Sequence, residues 1–238
     1  MKIYSLLVVK DEADVVGLSL NDACRWSDKV VVIDNGSSDG TWELVRQLAS
    51  QEPKIVPFMR YEGPFHIGLR AKAFHAFRRE MRLGDWWCVR LDADEFYPGD
   101  VRAFLQHVPW WCRTVKKISS DYVITHEDLA EGLVSGDFAA DRQNIRYRLP
   151  HQRTERRFMR HSPFLLWLSR WRYPHPWGLV AKQQIPVDHY QYRSPSQMQR
   201  RYANRQQAKA DGCGSFSHET GGSWRDYLKH REELILAH

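Results

Sequence analysis

Lys29-Val30-Val31-Val32-Ile33-Asp34-Asn35-Gly36-Ser37-Ser38-Asp39-Gly40-Thr41 holds a complete structural transition. Four consecutive β-branched residues, Val30 to Ile33, read as a strand covered on both faces. The polar segment from Asp34 to Gly40 is dense in residues that turn a chain and cap a helix. Residues 41–50 then place Trp42, Val45 and Leu48 or Ala49 on one helical face. A buried strand that ends in a polar turn and opens an amphipathic helix is the repeating unit of an α/β fold.

The same unit recurs on both sides. Upstream, residues 2–9 predict a first buried strand and residues 13–23 a helix, with Glu12 and Asp14 near its positive end. Downstream, residues 55–58 predict a third strand, residues 69–81 a helix bounded by Gly68 and Gly84, and residues 86–91 a fourth strand. Strict alternation of this kind predicts an α/β fold with a mainly parallel, doubly wound sheet and right-handed crossovers. After about residue 109 the pattern loosens into an irregular α+β half. Strands are expected over 114–124, 145–149 and 156–158, and helices over 196–210 and 223–237, the helices joined through 212–222.

The chain has 238 residues, 42% hydrophobic and 27% charged, which suits one sizeable globular domain and excludes a disordered chain. A net charge of +6 suits anionic partners such as nucleotides, acidic headgroups or polyanionic acceptors, and equally an ordinary basic surface. Arginine and lysine are spread along the chain, so nucleic acid is not expected. Cys24, Cys88, Cys112 and Cys213 form no Cys-x-x-Cys pair, which argues against a cysteine-built zinc site and for a reducing compartment. The apolar run at residues 3–9 is too short to span a bilayer, and no small-residue cleavage site follows it. A cytoplasmic protein, with peripheral contact to the inner face of a membrane, is the expectation. The glycine patterns of P-loop nucleotidases and of dinucleotide-binding enzymes are both missing.

Ligands of open α/β sheets sit at the carboxyl ends of the strands. Three such ends are polar here: Lys10-Asp11-Glu12, Asp34 to Asp39, and Asp92-Ala93-Asp94-Glu95. A strand end at Asp34 offers a carboxylate to ribose hydroxyls or base nitrogens, or alternatively a capped turn. Asp92-x-Asp94 offers two carboxylates that suit Mg²⁺ or Mn²⁺ while leaving positions open for diphosphate oxygens. A cation in that place stabilises a departing diphosphate.

Val9-Lys10-Asp11-Glu12, Val31 to Thr41, and Gly84-Asp85 through Leu91-Asp92-Ala93-Asp94-Glu95-Phe96, in this order and at these intervals, resemble the family 2 glycosyltransferases with the glycosyltransferase A fold. The resemblance covers residues 1–100 well and the remainder patchily. It implies a nucleotide-sugar-binding half over 1–110 and an acceptor-binding half over 111–238, within one continuous domain. It implies that Val9, Lys10 and Glu12 line a nucleobase pocket and that Asp34 contacts base or ribose. Asp39 either caps the second helix or approaches the nucleotide. Arg70 matches an arginine aimed at base or phosphate, a role that suits a guanidinium; the asparagine that often follows it is Ala71 here. Asp92 and Asp94 become the ribose and metal contacts. His189, in Asp188-His189-Tyr190-Gln191-Tyr192-Arg193-Ser194-Pro195, matches a histidine that completes a metal shell.

The implied activity is sugar transfer, by inversion, from a nucleotide-diphosphate donor, a UDP-sugar being expected, to a glycan or lipid-linked saccharide. Such chemistry needs a carboxylate to take the acceptor proton. Asp188, Glu95 and the pair Glu127-Asp128 are candidates, with Asp188 favoured. Trp167, Trp171 and Trp177, with Phe164 and Tyr173, suit an acceptor groove, a membrane interface or core packing. Two other readings compete. A sugar nucleotidyltransferase wants a glycine-rich loop where Lys10-Asp11-Glu12 stands, and a carbohydrate- or nucleic-acid-binding module leaves three polar strand ends unexplained.

Overall fold

The computed structural model describes residues 1–210 and 222–237. The chain forms two compact units: Met1–Ser119 with Arg153–Val187, and Ser120–Gln152 with Asp188–His238. The first unit opens with β1 (Ile3–Val9), α1 (Val16–Trp26), β2 (Lys29–Asp34), α2 (Thr41–Ala49), β3 (Ile55–Arg60), α3 (Leu69–Phe77) and β4 (Trp86–Leu91). It continues through β5 (Glu95–Phe96), α4 (Val101–Gln106) and the start of β6 (Cys112–Val123). In the second unit lie the end of β6, α5 (His126–Ala130), α6 (Phe138–Asp141) and β7 (Tyr147–Arg148). The first unit resumes with β8 (Arg153–Arg160), β9 (Leu179–Val180) and the start of β10 (Ile185–Tyr192); the second closes with α7 (Pro195–Ala210) and β11 (Ile235–Leu236).

The α/β character read from the sequence holds. In the first unit the strands lie in the order β6-β8-β4-β1-β2-β3. β1 pairs in parallel with β2 and β4, and β2 with β3. Beyond β4 the expected irregular half adds antiparallel pairing, since β8 runs antiparallel to both β4 and β6. The chain moves outward from β1 to β3 and then returns to the other side of β1 as β4. That reversal places a topological switch point between the carboxyl ends of β1 and β4, where open α/β sheets bind ligands.

The core follows from the apolar strands. Trp87, fully buried, meets Tyr4 edge-on at 5.8 Å and Phe74 at 4.9 Å between centroids. Trp167 joins the same cluster against Phe74, at 5.8 Å. Each such side chain contributes about 1.5–3 kcal/mol by leaving water. The aromatic stretch therefore divides: Trp167 is core, while Phe164 is 81% exposed.

Several elements differ from expectation for local reasons. α1 begins at Val16 because the Glu12 carbonyl accepts from Val15 and Val16 N–H in a turn that consumes residues 12–15. α3 ends at Phe77 and tightens into a 3₁₀ turn, Arg78–Glu80. Residues 223–237 form no α-helix; they hold 3₁₀ turns at Trp224–Tyr227 and Arg231–Glu233, then β11. Ser223 accepts from Arg225 N–H while Asp226 accepts from Ser223 N–H, local bonds that compete with a helix. β10 was not expected, and it carries Asp188 and His189. Cys213 and the connection before Gly222 lie outside the described residues.

Candidate functional site

Asp34 closes β2 with its side chain fully buried. Its Oδ1 accepts from Ser37 N–H at 2.9 Å and lies 3.6 Å from Arg60 Nε. Its Oδ2 is buried without a hydrogen-bond partner. A buried carboxylate oxygen left unpaired costs about 1–3 kcal/mol or more, so its presence needs a reason.

The loops around it are fastened to each other. Asp11 adopts left-handed backbone (φ 53°), and its Oδ1 accepts from Ser38 N–H at 2.7 Å. Asp39 accepts from Ala13 N–H at 3.0 Å and from Thr41 N–H and hydroxyl at 3.1 and 2.5 Å. Asp39 thus fixes the start of α2 to the loop after β1. Gly40 supplies the left-handed turn (φ 91°) on which α2 starts. Lys10 stands exposed at the end of β1, Glu12 is half-buried, and Val9 is buried with its carbonyl accepting from Asn35 N–H.

Val9 pairs with Asp34 across β1 and β2, and Leu7 with Leu91 across β1 and β4. Asp34, Lys10 and Asp92 therefore lie along one edge of the sheet. With strands about 4.8 Å apart, Asp34 and Asp92 flank β1 at a backbone separation of about 10 Å.

Around Asp92 the structure gathers three guanidinium groups. Arg70 Nη2 donates to Asp92 Oδ1 at 3.2 Å, Arg90 Nε to Oδ2 at 3.0 Å, and Arg157 Nη1 lies 3.6 Å from Oδ2. Burial pushes the Asp92 carboxyl up, but Arg90, Arg157 and Arg70 together hold it well below the usual carboxylate range; Asp94 opposes them. The two carboxylates therefore feel one another. Burial pushes the Arg70 guanidinium down to about 10 against the pull of Asp92, and its Nε is buried without a partner. Asp94 is 5% exposed.

Behind this edge lies a second layer that the sequence reading missed. Arg157 is fully buried; it donates to the Arg90 carbonyl and, at 3.0 Å, to Glu95 Oε1. Lys117 donates to the same Glu95 oxygen. Glu155 accepts from Arg90 at 2.9 Å, Arg157 at 3.3 Å, Arg172 at 2.7 Å and the Tyr173 hydroxyl at 2.6 Å. Burial raises the Glu155 carboxyl, and Arg90, Arg157 and the Tyr173 bond outweigh it, leaving it at about 2. Glu95 is thus a sealed, doubly paired carboxylate with 1% exposure. Two signals could have found this layer: Arg90 interrupts an otherwise apolar strand, and Glu155 and Arg157 alternate onto one face of β8.

Among the described residues, no three His, Cys, Asp or Glu side chains converge into a ready-made metal cage. Asp92 and Asp94 nonetheless supply the hard oxygen donors that Mg²⁺ or Mn²⁺ prefer. They fit an ion that takes its remaining ligands from a diphosphate.

In the second unit His189 Nδ1 bonds buried Asp121 Oδ1 at 2.7 Å, a contact that fixes the imidazole tautomer. Asp188 is half-buried, and its charge raises the Tyr122 and Tyr190 hydroxyls, chiefly raised by burial. Glu127 accepts from His230 Nδ1 at 2.8 Å, while Asp128 completes a capping box with Thr125 and accepts from Arg231 at 2.7 Å. That acidic pair fastens the start of α5.

Comparison with known proteins agrees with these motifs. The family model for glycosyl transferase family 2 matches residues 6–164. The chain is similar to the succinoglycan biosynthesis protein ExoA of Rhizobium meliloti (strain 1021), 35% identical over 72 residues, 30% of this chain and 20% of that protein. It is also similar to the uncharacterized glycosyltransferase RP128 of Rickettsia prowazekii (strain Madrid E), 24% identical over 107 residues, 45% of this chain and 32% of that protein. The matches thus span a fifth and a third of the length of these two relatives. Among solved structures, the mannosyltransferase PcManGT from Pyrobaculum calidifontis, in complex with GDP-Man and Mn²⁺, aligns with a TM-score of 0.44 and 15% identity over 98% of this chain and 69% of that one. With two thirds of its length under one family model, the chain belongs to glycosyl transferase family 2.

Proposed function

We propose that this chain transfers a glycosyl group from a nucleoside-diphosphate sugar, a uridine one in the first instance, to a saccharide hydroxyl with inversion. The observation that carries the reading is Asp34: a buried carboxylate with one unpartnered oxygen, on the same sheet edge as Asp92 and Asp94. A ribose hydroxyl or base N–H supplies the donor that Asp34 Oδ2 lacks. Val9, Lys10 and Glu12 line the base, and the unpartnered Arg70 Nε meets a phosphate oxygen. Asp94, seconded by Asp92, would hold a Mg²⁺- or Mn²⁺-type ion, which would supply positive charge for a departing diphosphate. Asp188 takes the acceptor proton; Glu95, sealed between Arg157 and Lys117, serves the scaffold under this reading. His189, oriented by Asp121, is a further candidate ligand.

The likeness to a succinoglycan biosynthesis protein favours a glycan or lipid-linked saccharide as acceptor. The described cysteines, Cys24, Cys88 and Cys112, are all free thiols, which fits a reducing, cytoplasmic setting. No helix among the described residues is long and apolar enough to cross a membrane. A panel of nucleotide sugars tests the proposal by thermal stabilisation and by release of nucleoside diphosphate. Stabilisation and slow hydrolysis by one UDP-sugar, enhanced by Mn²⁺, is the expected result. Pyrophosphate release from a nucleoside triphosphate and a sugar phosphate favours a nucleotidyltransferase instead, and no response to any nucleotide sugar overturns the reading.

A further inference from the structure

The opposite end of the first unit's sheet, away from Asp34 and Asp92, has a different chemistry. β4 and β6 begin there and β8 ends there, since β8 runs antiparallel to both. Large apolar side chains stand in water at this end, among them Leu83 (74% exposed), Trp110 (80%), Trp111 (52%) and Phe164 (81%). They sit on segments bonded to each other. Arg160 donates to the Val108 and Cys112 carbonyls and so latches the Trp110-Trp111 turn to the end of β8. The next residue, His161, exchanges backbone bonds with Gly84 and Asp85, beside Leu83. Arg78 donates to the Pro163 carbonyl at 2.9 Å, next to Phe164.

Between the end of α3 with its 3₁₀ turn and the segment that follows β8 lies an open groove of about 690 Å³ lined by His75, Arg78, Arg79, Met81, His161 and Pro163, with Ala76. Its lining holds two guanidiniums and two imidazoles and no carboxylate. His161 Nδ1 accepts from the Trp87 indole at 3.1 Å, which leaves the ring proton on Nε2 as a donor. The nearest acids are occupied: Glu80 accepts from Lys29 and Tyr4, and Asp85 from the Lys2 and Arg82 N–H groups.

We propose that this end of the first unit docks on an anionic bilayer, with lipid phosphate in the groove and Leu83, Trp110, Trp111 and Phe164 in the headgroup layer. Tryptophan and phenylalanine beside arginine is the composition that such interfaces select, and each arginine near an anionic surface contributes about 1 kcal/mol. Charge complementarity selects this occupant, since a purely apolar partner leaves the groove's cations unmatched. The inference is independent of the sugar-transfer reading.

Flotation with phosphatidylcholine vesicles, with and without about one part in three phosphatidylglycerol, tests it. The wild-type chain should bind the anionic vesicles only, with a blue shift of tryptophan emission. Trp110→Ser/Trp111→Ser, at exposed positions that leave the core intact, should abolish the shift and weaken binding at least tenfold. Arg78→Gln/Arg79→Gln should weaken it about thirtyfold, two arginines at the cited value. UDP binding, measured on the same samples, should not change. Failure to bind anionic vesicles, or binding unaltered in both variants, overturns the proposal. So does a concentration-dependent dimer that the tryptophan variant dissociates without any vesicle binding, or binding to DNA as tight as to the vesicles.

Discussion

Arg157 Nη2 donates to Glu95 Oε1 at 3.0 Å, with the two side chains 0% and 1% exposed. The pair joins β8 to the residue that follows Asp94. It fixes the backbone of the carboxylate edge from behind, because the same guanidinium also donates to the Arg90 carbonyl. The carboxylate edge is therefore held from behind by an ion pair almost wholly withdrawn from solvent.

Breaking that pair from one side should cost more than removing it. Arg157→Met leaves Glu95 buried beside Lys117 alone, and urea unfolding should show a loss of about 3–5 kcal/mol. Arg157→Met with Glu95→Gln should recover part of that loss. A single-variant loss under 1 kcal/mol contradicts the buried pairing.

Acid should reveal the same layer. Glu155 is held at about 2 and Asp92 is held low, in both cases by arginines that outweigh burial. A carboxylate with a lowered folded-state value contributes stability above its unfolded value and loses it as pH falls through the folded one. Stability should thus fall between about pH 4.5 and pH 2, and Glu155→Gln should flatten that limb in a denaturant series. An unchanged acid limb in the variant contradicts the assignment.

Thiol chemistry probes the core. Burial pushes the Cys24 thiol up to about 11 and the Cys88 thiol up to about 12. At pH 8 iodoacetamide should leave both untouched in the folded protein and modify both in urea, read by peptide mass spectrometry. Rapid native labelling of Cys88 contradicts the burial.

For the proton acceptor, Asp188→Asn should lower kcat by about 10²–10⁴ while donor affinity stays near wild type. Turnover equal to wild type removes Asp188 from the reaction.

The sequence revealed the carboxylate edge well because its signals are local. Residues 29–41 carry strand, turn and helix in consecutive order, and Asp34 and Asp92 close strands of clear apolar character. The arginine layer was hidden because its pairings are distant: Arg157 reaches Glu95 across 62 positions. β10 was hidden by Pro186, which argues against a strand, although Ile185, Val187 and Tyr190 are buried along it. Over 223–237 a helix is expected, and short-range bonds to Ser223, Asp226 and Glu233 form instead.

The most direct test of the donor site is calorimetric titration of UDP into the wild-type chain and into Asp34→Ala and Asp94→Ala, with and without Mn²⁺. The account predicts binding that Mn²⁺ strengthens, a loss of affinity in Asp34→Ala under both conditions, and a loss of the Mn²⁺ enhancement alone in Asp94→Ala. Wild-type affinity and full enhancement in both variants contradict it.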